Sequence, residues 1–310
     1  MDDCSQLRQT GVEPRRARDG TPSFHVVRHG VCIDADTWAS LGADERYRAF
    51  VHATALMARS GPHVFSHESA AVLWGLPVVT PWPRKAHVVV DPRKARSTAL
   101  IVRHEHEDTR AEEVDGQRAT SAARTIIDLA RDSGLLDAVA AADHALRIGL
   151  CTREDLEREA RLLPVHTPGS GQARLAAELA DPASESPGES LSRAQMFLLR
   201  FPRPRLQVEH RDADGLIGVV DFDWDGCVGE FDGYTKYSSR YAPTVDDARA
   251  IVYREKLRED RVRALPRNVA RWGWDHALAG APMAQRLCAQ GVRPEPRRQW
   301  FTVPGLPGND

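Results

Sequence analysis

The stretch IGVVDFDWDGCVGEFDGYTK, residues 217–236, decides the fold of the second half of the chain. At its centre Asp225-Gly226 is flanked on both sides by strand-prone residues, the strongest short-range signal for a β-hairpin. With Asp225 and Gly226 as the two turn residues, Trp224 opposes Cys227, Asp223 opposes Val228, Phe222 opposes Gly229 and Asp221 opposes Glu230. Side chains alternate along a strand. Asp221, Asp223, Glu230 and Asp232 are therefore expected on one face, and Val220, Phe222, Trp224, Cys227 and Phe231 on the other, core-facing side.

Four acids on one face repel. Like charges directly opposite across a hairpin cost up to about 1 kcal/mol. A divalent cation relieves that repulsion, and Mg²⁺ favours one or two carboxylates completed by water and phosphate oxygens. A solvated strand face also explains alternating acids, since antiparallel sheets are often wet on one side.

Outward from the hairpin, a helix is expected at about 187–200. Strands follow near 205–210, 217–224 and 227–232, then a helix at 245–264, a strand at 268–274 and a helix at 275–290. The order α-β-β-β-α-β is the core of a three-layer α/β domain. Glu189 opens the first of these helices. Ser186-Pro187-Gly188-Glu189 has the form of a capping box, which accounts for the residue structurally; a third acid beside the sheet is the alternative.

The first half reads as α+β. Residues 1–22 are polar without periodicity and are expected to be disordered. A strand-like run covers 24–33, a helix about 43–60, and Ser66 is placed to cap a helix ending near Gly75. Strands are expected at 86–91 and 98–104, with a turn at Pro92-Arg93. Helices follow at 121–131 and 135–147, and a third opens at Thr152, where T-R-E-D sets acids on the positive end of the helix dipole. This gives a domain over 23–163, a Pro/Gly/Ser-rich linker around one short helix over 164–184, a domain over 185–290 and an irregular tail over 291–310.

Composition bounds the function. The chain has 310 residues, 42% hydrophobic and 28% charged, in the range of globular domains. It has neither an apolar run long enough to span a bilayer nor a secretory h-region, so no membrane contact and a cytoplasmic location are expected. Five scattered cysteines without a C-x-x-C pair fit reduced thiols better than disulfides or zinc. With a net charge of −2, any nucleic-acid contact must come from local patches. Arg193, Arg205, Arg254, Arg258 and Arg261 are the main candidates, with Arg200, Arg203, Arg263, Arg267 and Arg271 alongside; a charged helix surface explains many of them equally well.

The pieces ESPGESLSR (185–193), PRLQVE (204–209), GVVDFDW (218–224), GEFDGYTKY (229–237), EKLREDRVR (255–263) and VARWGW (269–274) carry a resemblance. Together they resemble the PD-(D/E)XK, restriction endonuclease-like domains related to very-short-patch-repair nucleases, common in actinobacterial proteins of unknown function. The resemblance implies Asp221 and Glu230 as ligands of Mg²⁺, Glu189 as a supporting acid and DNA as substrate. It also implies a lysine two residues after the third-strand acid, where this chain has Asp232. Lys236 and Lys256 are the candidates for a displaced lysine, with Lys236 the nearer in sequence.

In the first half, VFSHESAAVLWGLP (64–77), TSAARTIIDLAR (120–131) and DHALRIGLCTREDL (143–156) resemble the AbiEi-type antitoxins of type IV toxin–antitoxin systems. That resemblance implies a nucleotidyltransferase toxin as partner. Only 24–33 matches the end of that family's winged helix, so operator binding is not carried over. The function expected is a Mg²⁺-dependent DNA phosphodiester hydrolase fused to an antitoxin-like domain, with a non-catalytic antitoxin-like binding protein as the alternative.

His104 and His106 alternate at a strand end without an apparent third ligand and are read as a solvated strand end, with a metal cluster the lesser alternative; His63 and His67 straddle a helix cap and are read as structural. Asp128 is expected to pair with Arg124 one helical turn before it.

Overall fold

A computed structural model describes residues 7–9, 23–58, 61–91, 97–105, 110–213, 215–233, 261, 267–297 and 300–301. It combines helices with mixed sheets, and among the described residues no sheet closes into a barrel. Nor is any described helix long and apolar enough to cross a membrane. The chain divides into two units between Ala180 and Asp181.

In the first unit, the run over 24–33 is a hairpin and not one strand. Phe24–Arg28 (β2) pairs with Val31–Asp34 (β3), turning at Gly30 with φ +83°, and Arg8–Gln9 (β1) adds to β3. Short helices Ala35–Ser40 (α1) and Ala43–Leu56 (α2) follow. The main sheet has the order β6-β5-β4-β8-β7, built from Val64–Phe65 (β4), Ala86–Val90 (β5), Ile101–Glu105 (β6), Ala111–Val114 (β7) and Gln117–Thr120 (β8). β5 and β6 are parallel neighbours, which a tight turn cannot join. The β7–β8 hairpin escaped the sequence reading although it turns on Asp115-Gly116, both at positive φ. Its strands AEEV and QRAT lack the apolar alternation that marks a strand.

Helix His67–Trp74 (α3) ends in a left-handed Gly75 and packs with α2 against this sheet around Phe65, Val51, Leu73 and Val88. Ser66 is its N-cap residue, yet its hydroxyl meets the His67 ring. The three expected helices are Ala122–Asp132 (α4), Leu135–Arg147 (α5) and Arg153–Leu162 (α6); Ser121 caps α4, and Thr152 caps α6 as expected. Arg124 pairs with the buried Asp128 at 2.9 Å. Ser170–Leu179 (α7), inside the expected linker, belongs to this bundle: Ala173, Ala176, Ala177 and Leu179 are buried, and Arg153 donates to the Ala177 carbonyl at 3.1 Å. The boundary therefore falls after α7.

The second unit is a four-stranded sheet in the order β12-β11-β10-β9: Arg205–Asp212 (β9), Gly215–Trp224 (β10), Cys227–Asp232 (β11) and Asn268–Gly273 (β12). β9, β10 and β11 form an antiparallel meander, and β12 lies parallel to β11. The register Trp224–Cys227, Asp223–Val228, Phe222–Gly229 is the one the Asp-Gly turn predicts. Helix Pro187–Leu198 (α8) covers one face, where Trp272 donates to Ser192 at 2.8 Å. The final expected helix is two, Trp274–Ala279 (α9) and Ala281–Ala289 (α10), parted by Gly280 at φ +72°. The expected 245–264 helix lies outside the described residues apart from Arg261. Part of the C-terminal tail is anchored: Trp300 is buried and donates to the Phe201 carbonyl at 2.8 Å.

Candidate functional site

The site expected from sequence sits where the meander loses its regular alternation. Gln207 on β9 holds φ +49°. Val208 and Val220, paired across the strands, pack with Val228 and Val269. Two residues on, Phe222 packs instead against Trp272, on the α8 side. Val220 and Phe222 thus face opposite ways, contrary to strict alternation. Asp221 lies at this break. The β10–β11 register runs to Phe222–Gly229, and at the next position the Asp221 carboxylate accepts the backbone N–H of Phe231 at 2.7 Å.

The single solvated face of four acids does not form. Asp223 is 1% exposed and is met by Arg205, by His210 Nε2 at 2.8 Å and by Arg267 at 3.4 Å. Glu230 is also buried and pairs with Arg271 on β12. Asp232 is exposed and Asp221 half-buried. The repulsion that would call for a cation is thus answered in part by protein side chains. Glu189 is buried, and only half of the expected capping box forms: Ser186 Oγ accepts the Glu189 N–H at 3.3 Å, while the Glu189 carboxylate takes the Ser186 hydroxyl at 2.7 Å and the N–H of Glu185, not of Ser186, at 2.9 Å. It also receives Gln207 Nε2 at 2.8 Å, which ties α8 to the break in β9.

The candidate phosphate contacts are dispersed. Arg193, one turn after Glu189, is 2% exposed, so a phosphate would have to enter the site to reach it. Arg205 is exposed but committed to Asp223, and Arg261 clasps Asp212 and the Leu216 carbonyl at the β9–β10 turn. Lys236, Lys256, Arg254 and Arg258 lie outside the described residues.

A second cluster, which the sequence reading set aside, lies in the first unit. His67 opens α3, His87 stands on β5 and His104 on its parallel neighbour β6. One ring nitrogen of each lies within 4.8 Å of the other two. No other group of three or more His, Cys, Asp or Glu comes so close among the described residues, the acids of the second unit included. The partners that His104 seemed to lack come from two elements distant in sequence. No motif spacing marks them; His106 lies outside the described residues. Burial, reinforced by His67 and His87, pushes the His104 imidazole down to about 3, and burial also lowers His87. Next to them Asp132, in spite of burial, is held low by hydrogen bonds from His67 and Arg131.

No family model matches the chain, and no solved structure does. Two curated proteins of Mycobacterium tuberculosis are similar to it: "Uncharacterized protein MT2308" of strain CDC 1551 / Oshkosh and "Uncharacterized protein Rv2248" of strain ATCC 25618 / H37Rv. Each is 31% identical over 137 residues, 44% of this chain and 50% of the relative. The chain thus spans about half the length of the curated relatives it matches.

Proposed function

We propose that the second unit is a nuclease-like domain that hydrolyses phosphodiester bonds in DNA with Mg²⁺. One observation carries this reading: the strand alternation breaks at Asp221, whose carboxylate turns to the N–H of Phe231, the residue after Glu230. Two acids then stand at the parting of β10 and β11, with Glu189 of α8 held near through Gln207. Hard carboxylate oxygens in this number fit Mg²⁺, which leaves most of its positions to water and phosphate.

Asp221 and Glu230 would hold the ion, and Glu189 would support the site from the helix. When bound, Mg²⁺ supplies charge neutralisation at the scissile phosphate. The chain's own contribution is positional. The Asp221 contact with Phe231 fixes the distance between the two strands, and Arg271 balances the charge on Glu230. Asp232 brings no positive charge where a lysine would assist, so that task falls to an arginine such as Arg271 or to a displaced lysine.

A second reading is a non-catalytic binding protein of antitoxin type that retains the sheet for recognition. The counter-charging of Asp223 and Glu230 by protein side chains favours it. Plasmid nicking by the full chain with Mg²⁺ or Mn²⁺, abolished by Asp221→Asn and Glu230→Gln, would support hydrolysis. Calorimetry detecting no binding of either ion would overturn it.

A further inference from the structure

The histidine cluster of the first unit has the dimensions of a metal site. His87 Nδ1 and His104 Nε2 face each other at 3.1 Å, and Glu68 Oε2 lies 3.4 Å from the same His87 nitrogen. With metal–ligand bonds of about 2.0–2.1 Å, neighbouring donors of a tetrahedral site are roughly 3.3–3.4 Å apart. His87 Nδ1 already stands at about that spacing from both of its neighbours.

Two independent features point to an ion and away from a self-contained hydrogen-bonded cluster. Glu68 anchors one oxygen to the Ser133 hydroxyl at 2.6 Å, while its other oxygen, Oε2, is buried without a hydrogen-bond partner and aimed at His87. An unsatisfied buried carboxylate oxygen is costly unless something cationic meets it. The second feature is His67, which is 1% exposed and held at φ +51°, a left-handed conformation that a non-glycine residue adopts at a cost. This strained backbone holds the imidazole beside the other two, with its ring stacked on His104 at 3.7 Å.

We infer that His67, His87 and His104, with Glu68 as fourth donor, bind a zinc-class divalent transition ion. Three imidazoles and one carboxylate suit zinc and disfavour Mg²⁺, which takes oxygen ligands and octahedral geometry. Four protein donors make a closed site, so the ion is structural and pins α3 to β5 and β6. Asp132 accepts from His67 Nε2 at 2.8 Å and lies 4.0 Å from His104 Nδ1. It is the outer carboxylate that orients the ligating rings. His67 Nδ1 meets the Ser66 hydroxyl at 3.0 Å and would exchange that hydrogen bond for the ion.

The test uses the full chain purified without chelators. Metal content by mass spectrometry should give about one zinc per chain, and Co²⁺ substitution should give the intense visible bands of a tetrahedral site. In competition with a chromophoric chelator, His87→Gln and His104→Gln should each weaken Zn²⁺ binding by about 100-fold or more, and Asp132→Asn by roughly 10–100-fold. The double variant Asp221→Asn/Glu230→Gln should keep its zinc, which separates this site from the acidic one. The far-ultraviolet spectrum of each variant checks that it folds. Folded wild-type protein that takes up neither Zn²⁺ nor Co²⁺ at micromolar free metal overturns the inference, whatever the variants do. So does an affinity unchanged in both folded histidine variants.

Discussion

Gly188→Ala should destabilise the second unit, although in an ordinary helix the same change stabilises. Gly188 is in the first turn of α8, where alanine is favoured over glycine by up to about 0.5–1 kcal/mol. A Cβ built there, however, would stand 2.1 Å from both Cε1 and Cζ of Phe231. The Phe231 ring is buried and meets Trp274 edge-on, so it has little room to retreat. Restoring contact distance needs a shift of about 1 Å, and overpacking of that kind costs about 1–3 kcal/mol. The net expectation is a loss of about 1–2 kcal/mol. In a unit the size of Asp181–Asp310 that lowers Tm by roughly 3–10 °C. Differential scanning calorimetry of the full chain reads this in the transition of the second unit. Adding Phe231→Leu should recover part of the loss, because the two residues share one contact. A Gly188→Ala protein with Tm at or above wild type would refute the close approach of α8 to β11, and with it the placement of Glu189 beside the break in the sheet.

Other consequences are equally direct. Asp223→Ala removes the shared acceptor of Arg205, His210 and Arg267; because both arginines still reach water, it should cost about 1–3 kcal/mol in denaturant unfolding. Asp137 accepts from the backbone N–H groups of Val79 and Thr80 and from the Thr80 hydroxyl; Asp137→Ala should cost about 2–4 kcal/mol in the first unit, and a loss below about 0.5 kcal/mol would contradict that anchoring role. Burial pushes the Cys227 thiol up to about 11, so the thiol form persists at neutral pH and alkylation should stay slow until pH rises above about 10. A thiol that reacts in native protein at pH 7.5 as fast as a free cysteine would argue against its burial.

Local chemistry made much of this protein legible. Asp225-Gly226 set a hairpin and its first three cross-strand pairs, because a two-residue turn leaves a single register open. Thr152 and Ser186 marked helix starts, since a side-chain oxygen satisfies an otherwise orphaned backbone N–H at that point. Asp115-Gly116 carries the same turn signal, but the polar strands beside it lack the apolar alternation that supports such a signal.

Tertiary structure alone decided the rest. Alternation assigned Asp223 and Glu230 to a wet face, but it cannot foresee Arg267, just before β12, or Arg271 on β12 arriving from far along the chain to neutralise them. Nor does periodicity register the left-handed Gln207, which breaks the alternation beside Asp221. The histidine cluster is the clearest case. His67, His87 and His104 belong to a helix and two parallel strands, and only the packing of those elements brings their nitrogens within 4.8 Å. Turns and caps are interactions between near neighbours in the chain and so are written in it. A site gathered from separate elements depends on the fold's long-range contacts, which spacing along the sequence does not encode.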